Sequence, residues 1–190
     1  MANHNFESGN GGWTFSSNGG SSAAVETSEQ GSFTKFIRMS RGSYSVLHQN
    51  FNIPADIDHF TLDFLFYELD GWETSGDYLK VNVCGTLVDL GTFGENLDER
   101  RRIGEESGIY WSRFSQGDRE NMGFVFYGDK KHDVKLRIPR SICSGNTMDL
   151  RFELTMTANA SNESGGIDEV KLQGRYDCED LPICVDTVTL

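Results

Sequence analysis

Regular alternation of apolar and polar residues is the feature that most constrains the fold of this chain. The segment MDLRFELTM, residues 148–156, has apolar side chains at every second position and polar ones between them. HDVKLRIP (132–139) and YLKVNV (78–83) alternate in the same way. Because successive side chains of a β-strand point to opposite faces, each segment predicts a strand with one buried face. No stretch of useful length carries the 3.6-residue apolar spacing of an amphipathic helix.

The same kind of pattern extends over most of the chain. FTLDFLFYEL (60–69) is apolar on both faces in its middle, as expected of a central strand that is covered on both sides. The 21 glycines, in runs such as SGNGG and SNGGSS, supply turns. We therefore predict an all-β fold, a two-sheet antiparallel β-sandwich of the jelly-roll type, over residues 1–174, followed by a Cys-containing tail or linker over residues 175–190. Further strands are predicted at Phe33–Met39, Tyr44–Ile53, Thr86–Leu90, Ile109–Phe114 and Met122–Tyr127.

The charge of the chain argues against two classes of partner. The sequence has 29 Asp and Glu against 17 Lys and Arg, a formal net charge of -12. Nucleic acids and anionic membranes need clustered positive charge, so neither is an expected partner. No apolar run approaches the roughly 20 residues of a membrane span, so membrane insertion is not expected. The one concentrated basic run, Arg100–Arg102, lies among acids in the polar segment Gly94–Ser107. We interpret it as part of a solvated loop, with a partner contact as the alternative.

Four cysteines and two consecutive glycosylation sequons favour a secreted, extracellular protein. Cys178 and Cys184 close a short loop, CEDLPIC, and leave Cys84 and Cys143 as the other possible pair. Disulfides persist mainly in oxidising compartments. The C-x5-C spacing has no neighbouring histidine and does not match a zinc site. The sequons NAS and NES lie within residues 159–164.

Acidic residues gather where two of the predicted strands meet turns. If Val170 and Leu172 point into the core, alternation puts Asp168 on the same inward face. Alternation likewise continues the inward face of the strand at 60–69 onto Glu68 and Asp70. A buried carboxylate needs a partner, because an unpaired buried charge costs several kcal/mol or shifts its pKa. Oxygen ligands that converge from loops are what Ca²⁺ requires, whereas solvated acids or salt bridges with Arg and Lys are the alternative.

Three segments resemble a known class of module. NFESGNGGW (5–13) and GIDEVKL (166–172) resemble the opening and closing strands of galactose-binding-domain-like jelly rolls. In many carbohydrate-binding modules of that kind, FE on the first strand and IDDV on the last meet at a structural Ca²⁺. FLFYELDGWETSGDYLKVNVCGTLV (64–88) resembles a subset found as domains of large secreted or surface proteins and adhesins. The resemblance covers about residues 5–172.

This resemblance implies a structural Ca²⁺ that joins the first strand to the last. At the matching positions, Glu7 and Asp168 would bind the ion, and backbone carbonyls of EQGSFTK (29–35) would complete its shell. It also implies that further carboxylates build or order the acidic turn, with a second ion as an alternative: Glu68, Asp70, Glu73, Asp77 and Glu163.

The chain also departs from the pattern of these modules. Gly165 stands where the pattern has Trp, so an aromatic contact is missing there. Cys84 stands where Asn is usual, which fits a disulfide that the pattern lacks. The segment Gly94–Ser107 corresponds to an insertion.

Candidate ligand-binding residues follow from how proteins recognise sugars. An aromatic ring packs on the apolar face of a pyranose, and planar polar groups bind its hydroxyls. Trp72 lies in the acidic turn, either as an exposed platform or as a cap on the core. Tyr110 and Trp111 are adjacent and face opposite sides of a strand, so one of them faces outward. Asn82 is the candidate polar group.

The resemblance and the acidic motifs together predict a non-catalytic, extracellular, Ca²⁺-dependent binding module. The expected partner is an extracellular glycan or surface polymer, with repeated modules in a larger protein. One alternative is a Ca²⁺-stapled spacer or self-association domain of a surface protein. A glycan-active hydrolase is the other, because paired carboxylates occur in glycosidases, although the sequence has no nucleophile elbow or H-E-x-x-H motif.

Overall fold

The chain folds into two stacked antiparallel β-sheets. The structure is a computed structural model that describes residues 2–18, 26–27, 34–39, 44–73, 76–93, 101–120, 128–157 and 163–176, with the backbone alone described at 26–27, 117–120 and 163. Within these ranges the strands are β1 Ala2–His4, β2 Thr14–Ser17, β3 Glu26–Thr27, β4 Ile37–Met39, β5 Tyr44–Asn52, β6 His59–Asp70, β7 Tyr78–Val83, β8 Thr86–Thr92, β9 Arg101–Glu106, β10 Ile109–Glu120, β11 Asp129–Pro139, β12 Thr147–Thr155 and β13 Glu163–Arg175.

The strand pairing confirms the predicted two-sheet antiparallel β-sandwich. The larger sheet has the order β3-β4-β13-β6-β11-β10-β9, and β1 also pairs with β13. The smaller sheet has the order β2-β5-β12-β7-β8. Each pairing between described strands is antiparallel. In the described part of the chain, no helix is long and apolar enough to cross a membrane.

The main core lies between the two sheets and is rich in aromatic rings. Phe152 of the smaller sheet contacts Phe64 of the larger sheet, with ring centroids 4.7 Å apart. Trp13, which is 1% exposed, packs on the same Phe152 at 5.4 Å. These residues occupy the inward positions of their strands or cap them, so the alternation in the sequence correctly identifies the buried face.

A second, smaller cluster covers the opposite face of β6. Phe36, Leu65, Tyr67 and Leu69 are all buried there, away from the main core. Because β6 lies between β13 and β11 and is covered on both faces, its sequence is apolar at consecutive positions. The prediction of a doubly covered central strand is confirmed.

A disulfide joins the β7–β8 turn to the segment that follows the 3₁₀ helix Arg140–Ile142. Cys84 and Cys143 are bonded across a sequence separation of 59 residues, as predicted. Cys178 and Cys184 lie outside the described residues, so their pairing stays a prediction. The proposed boundary between residues 174 and 175 also stays a prediction, since β13 continues to Arg175.

Two predicted elements differ in the structure. The motif NFESGNGGW does not form the opening strand: β1 ends at His4, and the motif turns back on itself, with positive φ at Phe6. The polar segment Gly94–Ser107 is not a loop throughout, because β9 lies within it and pairs with β10. An edge strand has one neighbour and little core to face, so the sequence of β9 lacks the apolar alternation that marks the other strands. The predicted strand Met122–Tyr127 lies outside the described residues.

Candidate functional site

A β-bulge in β13 decides where Asp168 points. Between Asp168 and Lys171 the register with β6 shifts, so that β13 carries one extra residue, and Glu169 has a φ of 47°. Beyond the bulge, Val170 and Leu172 belong to the main core, as predicted. Before it, the inward residue is Ile167 and not Asp168. The predicted inward orientation of Asp168 is therefore wrong, because the extra residue reverses the alternation.

Asp168 is nevertheless buried, on the outer face of the larger sheet, and the groups that donate hydrogen bonds to it are electrically neutral. It is 1% exposed. The hydroxyls of Thr34 and Tyr67 donate to its Oδ2 at 3.2 and 3.0 Å, and the backbone N–H of Glu169 donates to its Oδ1 at 2.7 Å. Burial raises the pKa of Asp168 above its ordinary value, although these hydrogen bonds act in the opposite direction. No basic side chain among the described residues forms an ion pair with it.

The bulge coincides with the place where the first strand meets the last. One edge of β13 pairs with β4 at residues 165–167 and with β1 at residues 170–172, so Asp168 lies between the two. Glu7 follows β1, and its Oε1 accepts a hydrogen bond from the backbone N–H of Lys35 at 3.0 Å. Since Thr34 and Lys35 are consecutive, the carboxylates of Glu7 and Asp168 bind adjacent residues of one segment. We call Glu7, Thr34, Lys35, Asp168 and Glu169 the strand junction.

The donors at the strand junction suit a hard cation. Glu7 and Asp168 bring carboxylate oxygens and Thr34 a hydroxyl oxygen, which are the ligand types of Ca²⁺. A carboxylate that is buried with neutral partners also benefits from a nearby positive charge. Residues 28–33, which hold most of the EQGSFTK motif, lie outside the described residues. Glu7 and Asp168 are of the ligand type that the implied ion needs, and they would supply two of its six to eight ligands.

The acidic turn has a different construction, because the carboxylates of Glu68 and Asp77 bind protein groups. Glu68 points inward, as predicted, and its Oε2 lies 3.0 Å from Nε2 of His132. The other ring nitrogen of His132 lies 3.0 Å from the hydroxyl of Ser115. All three residues are at most 4% exposed, and the ring of His132 packs against Phe66 and Phe93 of the core. A buried carboxylate with an imidazole partner does not need a metal ion.

Asp77 holds the remainder of this turn. Its Oδ2 accepts the backbone N–H of Glu73 at 2.6 Å, and its Oδ1 accepts the N–H and hydroxyl of Thr157 at 2.8 and 3.1 Å. The backbone N–H of Asp70 donates to Asp129 at 3.0 Å. Glu163 is the register partner of Asp70, and its side chain lies outside the described part of the chain.

Glu68 and Asp168, which were both predicted to point inward, do not share one site. Glu68 points into the sandwich, whereas Asp168 lies on the outer face of the same sheet. The described ranges contain no group of three or more His, Cys, Asp or Glu side chains able to hold a metal ion. Among the described residues, the strand junction brings two carboxylates onto one segment, at Thr34 and Lys35.

Trp72 is not an exposed platform. It is 0% exposed, its Nε1 donates to the carbonyl of Ser164 at 2.7 Å, and its ring packs on Phe66 and Phe93. The alternative that it caps the core is confirmed. Its indole N–H is satisfied inside the sandwich, so burial costs no hydrogen bond.

The other aromatic and polar candidates for ligand binding differ in exposure and in position. Tyr110 is 53% exposed, and Trp111 is half-buried against the core, where its ring covers Gly104. Tyr110 is thus the outward member of the pair. Asn82 lies on the smaller sheet, where its amide donates to Glu153 at 3.0 Å and accepts the N–H of Gly85 at 3.0 Å. Asn82 stabilises the β7–β8 turn and lies away from Tyr110.

Tyr110 lies in a groove on the outer face of the larger sheet, with a volume of about 590 Å³. Register pairing places Tyr110 between Glu105 of β9 and Arg137 of β11, and Arg137 next to Thr61 of β6. We call this surface the outer groove; its side chains include Thr61, Asp63, Ile103, Glu105, Tyr110, Ser112, Lys135, Arg137 and Arg175.

The outer groove combines one exposed aromatic ring with charged groups of both signs. Nζ of Lys135 lies 3.2 Å from Oδ1 of Asp63 in its floor. A second hollow of about 270 Å³ adjoins it and shares these two residues. Glu105 and Arg137 were not among the binding residues predicted from the sequence. The only signal for Arg137 was its position on the polar face of the alternating HDVKLRIP segment.

Comparison with known proteins adds one similar solved structure. No protein-family model and no curated protein matches the chain. The chain is similar to TmCBM61, a carbohydrate-binding module solved in complex with β-1,4-galactotriose. The two chains are 13% identical, with a TM-score of 0.47, over 92% of this chain and 100% of that one.

Proposed function

We propose that this chain is a non-catalytic, extracellular module that binds glycans in the outer groove and is stabilised by Ca²⁺ at the strand junction. The observation that carries the proposal is the row Glu105–Tyr110–Arg137, in which an exposed aromatic ring lies between an acceptor and a planar donor. A volume of about 590 Å³ is within the usual range of ligand sites.

The row provides the groups that sugar recognition requires. The ring of Tyr110 offers an apolar surface for the C–H face of a pyranose. Directly paired residues on neighbouring strands have Cβ atoms roughly 4.5–5.5 Å apart, so Glu105 and Arg137 flank a sugar stacked on Tyr110. Glu105 accepts hydrogen bonds from hydroxyls, and Arg137 donates to hydroxyl, ring or carboxylate oxygens.

Calcium has a structural role in this proposal. Glu7 and Asp168 would hold the ion, which would neutralise the buried Asp168 carboxylate and tie the segment after β1 to β13. The same β13 ends at Arg175, which lines the outer groove. Because β13 is one continuous strand, an ion that orders the strand junction would also help to order the groove. A pre-ordered site binds its ligand with a smaller entropy cost.

The interior offers little support for a hydrolase. Ser115, His132 and Glu68 form a hydrogen-bonded chain that resembles a nucleophile–base–acid arrangement. Ser115, however, is 4% exposed and lies between the sheets with its partners. A nucleophile must reach the substrate, so this chain of contacts is better explained as a buried polar network.

A glycan array tests the proposal. The wild-type protein should bind one class of glycan in Ca²⁺ and bind it more weakly in EDTA, and Tyr110→Ala should abolish the signal. Tyr44→Ala is the matched control, because Tyr44 is also an exposed tyrosine, 38% accessible, but begins β5 in the smaller sheet. A blank array with a folded protein would contradict glycan binding and favour the spacer role. Equal losses in both variants would contradict the assignment to the outer groove.

A further inference from the structure

We propose that the outer groove selects acidic glycans, with the carboxylate of a uronic-type sugar bound by Arg137 and Arg175. This inference rests on the proposed function, because it specifies the ligand class of the same groove. It starts from the distribution of charge. The whole chain has a net charge of -12. The groove reverses that excess, since Lys135, Arg137 and Arg175 line it with only Asp63 and Glu105.

Basic residues are concentrated at one end of the groove. Arg175 of β13 is the register partner of His59 of β6. An Nη atom of Arg137 lies 3.5 Å from Nδ1 of the same His59. Arg137, His59 and Arg175 therefore occupy neighbouring positions on three adjacent strands, β11, β6 and β13, on the outer face. We call these three residues the basic end.

The planar guanidinium is the side chain best suited to a carboxylate, because two parallel N–H groups match its two oxygens. Arg175 donates to Gln173 at 2.7 Å, and each guanidinium has five N–H donors, so this contact is compatible with a second acceptor.

The basic end lies beside the ring of Tyr110, where it can bind the carboxylate of a uronic sugar stacked on that ring. Arg137 is the direct partner of Tyr110, so a carboxylate on the ring stacked on Tyr110 would lie over the basic end. Glu105 lies on the opposite side of Tyr110, where it accepts from hydroxyls. An acid placed there repels the carboxylate from that side, so the two charges orient the sugar as well as bind it.

Matched pairs of oligosaccharides test the inference. We would titrate the full chain in Ca²⁺ with oligogalacturonate, oligoalginate, hyaluronan fragments and sialyllactose. Each would be compared with its carboxyl-reduced form, which has the same backbone and no charge. We expect at least one acidic probe to bind tenfold or more tightly than its reduced form. That preference should fall as NaCl is raised from 0.05 to 0.5 M.

Three variants locate the effect. Arg137→Gln and Arg175→Gln should each reduce the preference for the acidic form at least threefold, with little change for the reduced form. Arg151→Gln is the control, because Arg151 is an exposed arginine that pairs with Asp149 on the smaller sheet. Thermal melts establish that each variant is folded.

Three outcomes contradict the inference, and they differ in what they leave standing. If neutral glycans bind as tightly as acidic ones and Tyr110→Ala still abolishes binding, the acidic preference is wrong and the proposed function stands. If no glycan binds to the folded protein, the proposed function fails and the inference fails with it. An acidic preference that Arg137→Gln and Arg175→Gln leave intact would place the carboxylate elsewhere and contradict the assignment.

Discussion

Glu68 and Asp168 are both buried carboxylates of the larger sheet, on the neighbouring strands β6 and β13, and their surroundings differ. Glu68 is inside the sandwich with His132, which becomes cationic when protonated. Asp168 is on the outer face with hydroxyls and a backbone N–H. The comparison teaches that burial of an acid does not by itself indicate a metal site. The chemistry of its partners decides whether an added cation is useful.

The largest expected effect comes from removing the partner of Glu68. His132→Leu should lower the free energy of unfolding at neutral pH by about 3–5 kcal/mol, because it leaves a carboxylate buried in the core without its imidazole partner. Chemical denaturation measures this. Ser115→Ala is the matched control, since it removes only the outer hydrogen bond to His132 and should cost about 1 kcal/mol. A cost for His132→Leu no larger than that of the control would contradict our view of the pair.

Calcium should stabilise the folded protein through Asp168 and not through Glu68. The expected gain is somewhat smaller than the loss expected for His132→Leu. An ion that binds only the folded state stabilises it by about 2.7 kcal/mol at a hundredfold excess over Kd. Replacing EDTA with Ca²⁺ should therefore raise the melting temperature of the wild type, and Asp168→Asn should abolish the gain. Asn keeps the shape of Asp168, and its amide group donates hydrogen bonds to the surrounding hydroxyls or accepts them. Ca²⁺ stabilisation that survives in Asp168→Asn would place the ion elsewhere.

The pH dependence in EDTA sharpens the comparison further. Burial raises the folded-state pKa of Asp168 above its ordinary value of 3.8, so the unfolded chain ionises first as the pH rises. The contribution of Asp168 to stability thus declines from pH 3.8 up to the raised pKa and stays low above it. Each unit of pKa difference corresponds to about 1.4 kcal/mol. The difference in unfolding free energy between wild type and Asp168→Asn should fall across this interval. A difference that is flat or rises with pH would show that burial is not the dominant influence on the pKa of Asp168.

The smallest effect on stability is expected in the outer groove. Tyr110→Ala should change the free energy of unfolding by less than about 0.5 kcal/mol, because the ring is 53% exposed. The same substitution should abolish glycan binding. A loss of more than 2 kcal/mol would mean that Tyr110 is structural and that lost binding cannot be assigned to direct contact.

Periodicity in the sequence identifies the sandwich because it reports directly on burial. The segment YLKVNV coincides with β7, Tyr78–Val83, and the doubly apolar FTLDFLFYEL lies within the doubly covered β6. The inward position of Glu68 also follows from alternation, since β6 stays in register with β11 from His59 to Glu68. Strand faces are therefore predictable wherever alternation is unbroken.

The site is less predictable because it depends on irregularities and distant partners. A single bulged residue, Glu169, reverses the predicted face of Asp168. His132 contacts Glu68 across 64 positions of sequence, and no local spacing indicates the pair. The groove residues Glu105 and Arg137 become neighbours of Tyr110 only through strand register. Glu105 and Arg137 are charged residues on outward faces of their strands, which in sequence look like ordinary solvated surface.

Hydrogen–deuterium exchange with a bound glycan tests the central claim that the outer face of the larger sheet is the binding surface. The ligand would be the oligosaccharide with the strongest array signal, added to the wild-type protein in Ca²⁺. We predict that its addition slows exchange in β9, β10 and β11, around Glu105, Tyr110 and Arg137, and leaves exchange in β7, β8 and β12 unchanged. Protection confined to the smaller sheet, with unchanged exchange around Tyr110, would contradict the account.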